Sequence, residues 1–218
     1  MDYELMLRVS SFFAEAAIVT IQISTLAILI GLCLGFIAAL AMLSHYRSLR
    51  WPAKTYVSIF RGTPALIQLF ILYFGGPQFG LNLEPFEAGV IGLGLNIGSY
   101  MAESIRGAII SVDRGQIEAG RSLGMGRNQV MFKIILPQAA QLMVLPLGVN
   151  ITALVKGSVI VSTISVVELT YTAHRFVSST YKPFELFILA SVFYLIIISF
   201  IAYGVKFVNK RFALETQS

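Results

Sequence analysis

Residues 16–43 read AAIVTIQISTLAILIGLCLGFIAALAML, without one charged side chain. A membrane-crossing helix needs about 20 mostly apolar residues to cover a hydrocarbon core of about 30 Å, and this run exceeds that length. The rest of the chain agrees. Of its 218 residues 56% are hydrophobic and only 12% charged, about half the charge of an ordinary soluble domain. Its mean hydropathy is +0.79. A soluble fold of this length cannot hide so much apolar surface, so lipid must cover part of it. In lipid each helix satisfies its own backbone, and the chain reads as an all-α membrane protein.

The segment before this run, Met1-Asp2-Tyr3-Glu4-Leu5, lacks the basic start of a cleaved signal peptide. The first run is therefore expected to stay as a spanning helix. Within it, Gly31 and Gly35 have the small-xxx-small spacing of close helix contacts, although glycine is also simply common in membrane helices. Four more segments qualify as spans: 55–74, interrupted by Arg61-Gly62-Thr63-Pro64; 87–110; a weaker one at 138–155; and 184–207. Pro52 is expected to break any helix in the loop at 44–54.

Basic residues concentrate in the loop at 44–54, the segment 111–136 and the tail after 205. By the positive-inside rule these belong on the cytoplasmic side. About five spans satisfy this, with the N-terminus outside and the C-terminus cytoplasmic. The segment 75–86, rich in Gly and Pro and free of Lys or Arg, then falls outside. So does 156–183, which is less clean because it holds Lys156, Arg175 and Lys182. The net charge of +5 is scattered between apolar runs and forms no phosphate-binding stripe, which argues against nucleic acid as a partner. Cys33, the single cysteine, excludes an intrachain disulfide.

The cytoplasmic segment 111–137 is the most informative. Gln116 to Leu123 favours helix, Gly124 suits a left-handed helix end, Asn128 can cap a second helix, and Pro137 punctuates entry to the fourth span. A helical hairpin is too elaborate for a mere connection; its plausible role is to be held by another protein. The residues Glu118-Ala119-Gly120, Gly124, then Ile134, Leu136 and Pro137 resemble the "EAA" loop of ATP-binding-cassette importer permeases. That pattern has a Glu-Ala-Ala triplet, a glycine and a closing Ile-x-Leu-Pro; Gly120 replaces its second alanine. Phe60-Arg61-Gly62-Thr63-Pro64, and Asn96, Tyr100, Glu103 and Arg106-Gly107, resemble the second and third spans of the polar amino acid uptake family, the histidine, glutamine and cystine permeases. The similarity covers nearly the whole chain.

The resemblance implies a single permease domain over 1–218 with the type I importer permease fold, in a bacterial cytoplasmic (inner) membrane. It implies coupling helices at Glu118, Ala119, Gly120, Gly124, Ile134, Leu136 and Pro137. Two ATP-binding subunits would carry the ATP and Mg. A second permease subunit, identical or related, and an extracytoplasmic solute-binding protein would complete the complex. The chain itself has no Gly-x-x-x-x-Gly-Lys-Ser/Thr phosphate loop and no hydrolase signature, so it is not expected to be the ATPase. His45 and His174 have no partner at metal-ligand spacing.

Asn96, Ser99, Tyr100 and Glu103 lie at i, i+3, i+4 and i+7 and share one helical face. A polar stripe in a span must look toward a cavity or a partner helix. It is either a solute-contacting face or an internal network, with Glu103 paired to Arg106 or to Arg61. The second candidate group is Asn150, Lys156, Gly157 and Ser158. Lys156 can attract a carboxylate or snorkel to the interface. The family commonly has an acidic residue where Gly157 stands, which favours a neutral or acidic solute over a cationic one. A passive channel is the rival class, but it has no need of the cytoplasmic loop.

Overall fold

The computed structural model describes residues 2–215, with side chains described as far as residue 211. The described residues are almost wholly helical and contain no strand. The helices are α1 (Tyr3–Leu43), α2 (Arg47–Gly62), α3 (Ala65–Phe70), α4 (Pro85–Ile110), α5 (Arg114–Ser122), α6 (Arg127–Val130), α7 (Leu136–Gly157), α8 (Leu169–Thr180) and α9 (Pro183–Glu215). A wide π turn at Met131–Ile135 joins α6 to α7, and a tight 3-10 segment, Ser158–Ile164, extends α7.

The largest helix pairing is α1 on α4, and small residues set it. A Cβ placed on Gly31 would lie 2.4 Å from Ile97 Cγ2. One on Gly35 would lie 2.9 Å from Met101 Cβ and 3.1 Å from both the Ala102 nitrogen and the Gly98 oxygen. Gly89 meets Ile23, Gly94 meets Ile30 and Gly98 meets Gly31, so the numbers rise together and the two helices run parallel. The small-xxx-small reading of Gly31 and Gly35 is thus the structural one. In lipid, where apolar burial gives no advantage between helices, such close backbone approach is the main source of attraction.

Parallel helices need a return of the chain between them, and α2 with α3 lies on it. The interruption expected at Arg61-Gly62-Thr63-Pro64 is present and is a sharp bend. The helices Arg47–Gly62 and Ala65–Phe79 meet at an angle of 107°, because Thr63 and Pro64 are extended and Pro64 forbids continuation of the helix. Pro52 does not break α2. It lies inside the helix just past its first turn, where few backbone bonds are at stake. Among the described residues three helical stretches are long and apolar enough to cross a membrane: α1, the run 127–164 and α9; the bent pair would make a fourth. The helix α4 is not among them. Its Ala88, Met101 and Ala102 are fully enclosed by protein, and a helix sheathed by its neighbours can keep a polar stripe that lipid would not tolerate.

The two ends of the bundle are distinct. At one, the Lys182 ammonium pairs with Asp2, and the Asp2 N–H donates to Glu185 Oε1 at 3.3 Å. Lys182 and the Leu5 N–H hold the Asp2 carboxyl below the usual carboxylate range. At the other end Arg127 lies 3.3 Å from His45 Nδ1, so the segments 44–46 and 123–127 meet there.

Glu168, which the sequence reading passed over, is fully buried. It caps α8 by accepting from the Tyr171 N–H at 2.8 Å, and it accepts from the Tyr194 hydroxyl at 2.7 Å. Glu168→Leu strands both donors and is expected to destabilise the protein by about 3 kcal/mol. Glu168→Gln keeps an acceptor and should lose clearly less. Thermal unfolding of the purified chain measures both.

Candidate functional site

The sequence-derived candidates fall into a cavity in the bundle, a second cavity toward the 44–46 end, and the elbow of α5 and α6.

The first cavity, of about 360 Å3, is lined by Asn96 and Tyr100 from α4, Asn150 and Gly157 from α7, and Ala65 and Leu154. It gathers four candidates from two distant sequence segments. Their partners differ. Asn96 Nδ2 donates to the Phe60 oxygen at 3.1 Å and to Gln68 Oε1 at 3.0 Å. The Gln68 amide in turn donates to the oxygens of Phe60 and Thr63 and to the Thr63 hydroxyl, at 2.7–3.0 Å. These carbonyls are the ones released where the chain bends between α2 and α3. The Asn96–Gln68 pair therefore pins the bend, while Asn96 also borders the cavity. Asn150 Nδ2 donates to Ser104 Oγ at 2.8 Å, tying α7 to α4. Tyr100 is 39% exposed. Gly157 has ordinary helical backbone and open space where a side chain would be, so it leaves the cavity wall bare rather than kinking the helix.

Ser99 and Ser158 do not line this cavity. Both are fully buried, and both hydroxyls return to helix carbonyls, Ser99 to Asn96 at 2.6 Å and Ser158 to Val155 at 2.9 Å. Lys156 is exposed and does not line it either. Asn96→Ala is expected to lower the melting temperature by about 3–6 °C, because it removes the donor to the Gln68 side-chain oxygen and one of the two donors to the Phe60 carbonyl at the bend. A residue that only touched solute would leave melting unchanged.

Glu103 lies at the second cavity. Its Oε2 accepts from Arg106 Nη2 at 2.6 Å and from Nε at 3.0 Å. Arg61 is not its partner in the structure: the Arg61 guanidinium sits over the Tyr100 ring, 5.4 Å from its centre, a cation–π arrangement. The polar stripe of α4 is thus divided between a backbone pin, an aromatic wall and an ion pair.

The elbow begins with Asp113, whose carboxylate accepts from the Gly115 N–H at 2.6 Å and caps α5. It ends in a Schellman closure. Met125 N–H donates to the Gly120 oxygen at 3.1 Å and Gly124 N–H to the Arg121 oxygen at 2.9 Å, with Gly124 at φ +76°. This is the left-handed end expected of Gly124. The next cap is Gly126 rather than Asn128; the Gly126 N–H is held by Gln129 Oε1 at 3.0 Å. Pro137 does not interrupt the chain's helix. The π turn before it, closed by Leu136 N–H on the Met131 oxygen, carries the helix past the missing N–H. Gly120 is buried, and a Cβ there would lie 2.8 Å from Ile134 Cδ1. Glu118, Ala119 and Gly124 are exposed. Ile117, Met125 and Leu136 pack with Ala39, Ile105 and Ile109 at the ends of α1 and α4. Leu123, absent from the sequence candidates, is 81% exposed at the tip. A leucine directly before the left-handed glycine of an otherwise polar helix was the available signal.

Residues 31–213 match the family model described as "Binding-protein-dependent transport system inner membrane component". An L-cystine transport system permease protein of Bacillus subtilis is 43% identical over 69% of this chain and 64% of its own length. A probable glutamine ABC transporter permease protein of the same organism is 35% identical over 92% and 93%. An arginine transport system permease protein from that organism is 34% identical over 97% of both chains. Among solved structures, an amino acid ABC transporter crystallised with histidines superposes at a TM-score of 0.91 with 36% identity, over 97% of this chain and 99% of that one.

Proposed function

Because this chain belongs to the family of inner membrane components of binding-protein-dependent transport systems, we propose that it carries a polar amino acid inward across the bacterial cytoplasmic membrane. Curated relatives are permease components of amino acid ABC importers, and the fold is that of the type I importer permeases. In this reading the chain crosses the membrane five times, the bent α2–α3 pair and α4 included. The end bearing Asp2 and Lys182 faces outward. It pairs with a second permease subunit, identical or related. Two ATP-binding subunits supply ATP and Mg chemistry from below, and a solute-binding protein delivers cargo from outside.

The observation that carries the reading is the elbow. It turns Glu118, Ala119, Leu123 and Gly124 outward while its inner side is packed into the ends of α1, α4 and α7. A partner that grips the outer face moves three long helices through one apolar cluster, since packed interiors transmit displacement rather than absorb it. The solute then meets different walls in the two states, which any coupled transport requires. The candidate walls are Asn96, Tyr100, Asn150 and Gly157.

The test is reconstitution in liposomes with the ATP-binding partner and the binding protein, followed by a screen of amino acids. Solute-stimulated ATP hydrolysis with accumulation inside the vesicle is the expected result. ATP hydrolysis indifferent to this chain, or solute movement without ATP, would replace the importer by a scaffold or a passive channel.

A further inference from the structure

A cavity of about 720 Å3 opens beside Met42 and Leu43 at the end of α1, and its lining includes Arg50, Lys54, Ser58, Arg61, Glu103 and Arg106. Four cations thus face one carboxylate. Glu103 is bound by Arg106 at 2.6 Å. The other ion pair among the described residues is Asp2–Lys182, at the opposite end of the bundle. Arg50, Lys54 and Arg61 therefore have no carboxylate partner among the described residues. They are not scattered. Arg50, Lys54, Ser58 and Arg61 recur at i, i+4, i+8 and i+11 along one face of α2, a ladder about 16 Å long at 1.5 Å per residue. Its upper rung, Arg61, stacks on Tyr100, and Tyr100 is a wall of the Asn96–Asn150 cavity. The ladder starts where that cavity ends and descends to the 44–46 end of the bundle.

We propose that the basic ladder of α2 is the inward exit route for the solute's carboxylate. The cargo is accordingly an amino acid of zero or negative net charge, and lysine- or arginine-like solutes are disfavoured. The inference rests on the importer reading and narrows its substrate class. A carboxylate leaving the Tyr100 wall meets Arg61, then Lys54, then Arg50. Each holds it in a site open to water, so binding is weak enough to pass on, as multi-site conduction demands. A net cation meets the summed repulsion of the same three charges in a cleft whose protein walls focus the field.

The experiment is initial-rate uptake by the complete reconstituted transporter, with its own binding protein. Glutamine, glutamate and cystine are compared with lysine and arginine, for the wild type and for Lys54→Gln, Arg61→Gln and Arg61→Lys. Wild-type kcat/KM is expected to favour the neutral or acidic solutes by at least about tenfold, the equivalent of ~1.4 kcal/mol. Lys54→Gln and Arg61→Gln should lower kcat while KM, set largely at the binding protein, stays within about twofold; Arg61→Lys should retain most of the rate. A merely structural Arg61 would not be rescued by lysine while sparing KM. Should Arg61→Gln fail to assemble, the exposed Lys54 carries the test. Uptake of lysine or arginine as fast as glutamine, or a kcat untouched by the charge-removing variants, overturns the inference and leaves the importer standing. ATP-driven uptake of no amino acid overturns the importer reading and the inference with it.

Discussion

Gly35→Val is expected to leave almost no folded protein in the membrane, whereas Gly204→Val accumulates normally. The contrast isolates packing from composition, since both changes add the same side chain to a long apolar helix. At Gly35 the first added carbon already stands 2.9 Å from Met101 Cβ and 3.1 Å from two backbone atoms of α4. Neither backbone atom can yield unless α4 moves as a whole, and Met101 is fully buried. Separating α1 from α4 undoes the most extensive helix contact in the bundle, and overpacking of a rigid site costs on the order of 3 kcal/mol or more. At Gly204 nothing lies within 4 Å. Fluorescence-detected size exclusion of tagged variants reads the outcome. Equal monodisperse peaks for both would mean that the α1–α4 crossing does not hold the fold together.

The second large effect is expected at the elbow. Leu123→Glu should leave the isolated chain as stable as the wild type, because the side chain is 81% exposed and contributes nothing to the core. In the complex it should abolish co-purification with the ATP-binding subunit and lower ATP-driven uptake by at least about thirtyfold, the loss typical of one buried apolar anchor at an interface. Gly124→Trp tests the same surface through the backbone. A side chain at φ +76° strains the turn by about 1–2 kcal/mol, tilts α5 and adds bulk where the partner would sit. Stimulated ATP hydrolysis should fall to the unstimulated rate in both variants, with membrane insertion retained. Unimpaired uptake in Leu123→Glu would remove the elbow from the coupling path.

The elbow was readable in advance because its determinants are local. Gly124 acts on its own turn, and the Glu118–Pro137 pattern lies within one short stretch of chain. Even there, the cap fell on Gly126 rather than Asn128. The α4 stripe was legible as a stripe, because helical periodicity alone puts Asn96, Ser99, Tyr100 and Glu103 on one face. Its division of labour was not. Asn96 is bonded to Phe60 and Gln68, Tyr100 faces Arg61, and Glu103 took Arg106 in preference to Arg61. Each of these outcomes depends on where the bent α2–α3 pair passes.

Sequence by itself determined the helical membrane class, the clustering of basic residues in the segments 44–54 and 111–136 and in the tail, the turn at Gly124 and the permease family. The first three follow from hydropathy, charge placement and local backbone preference, which act within a turn or two of helix; the family follows from the resemblance of the Glu118–Pro137 pattern to a known loop. Only the tertiary structure decided that α1 and α4 run parallel at glycine distance, that the helices on either side of Thr63 and Pro64 meet at 107°, that Glu168 is a buried cap, and that Arg50, Lys54 and Arg61 line one cavity whose carboxylate, Glu103, is paired with Arg106. Those outcomes depend on contacts between residues far apart in the chain. In lipid such contacts are chosen by shape and by hydrogen-bond satisfaction rather than by hydrophobicity, and the pattern of apolar residues carries no record of them.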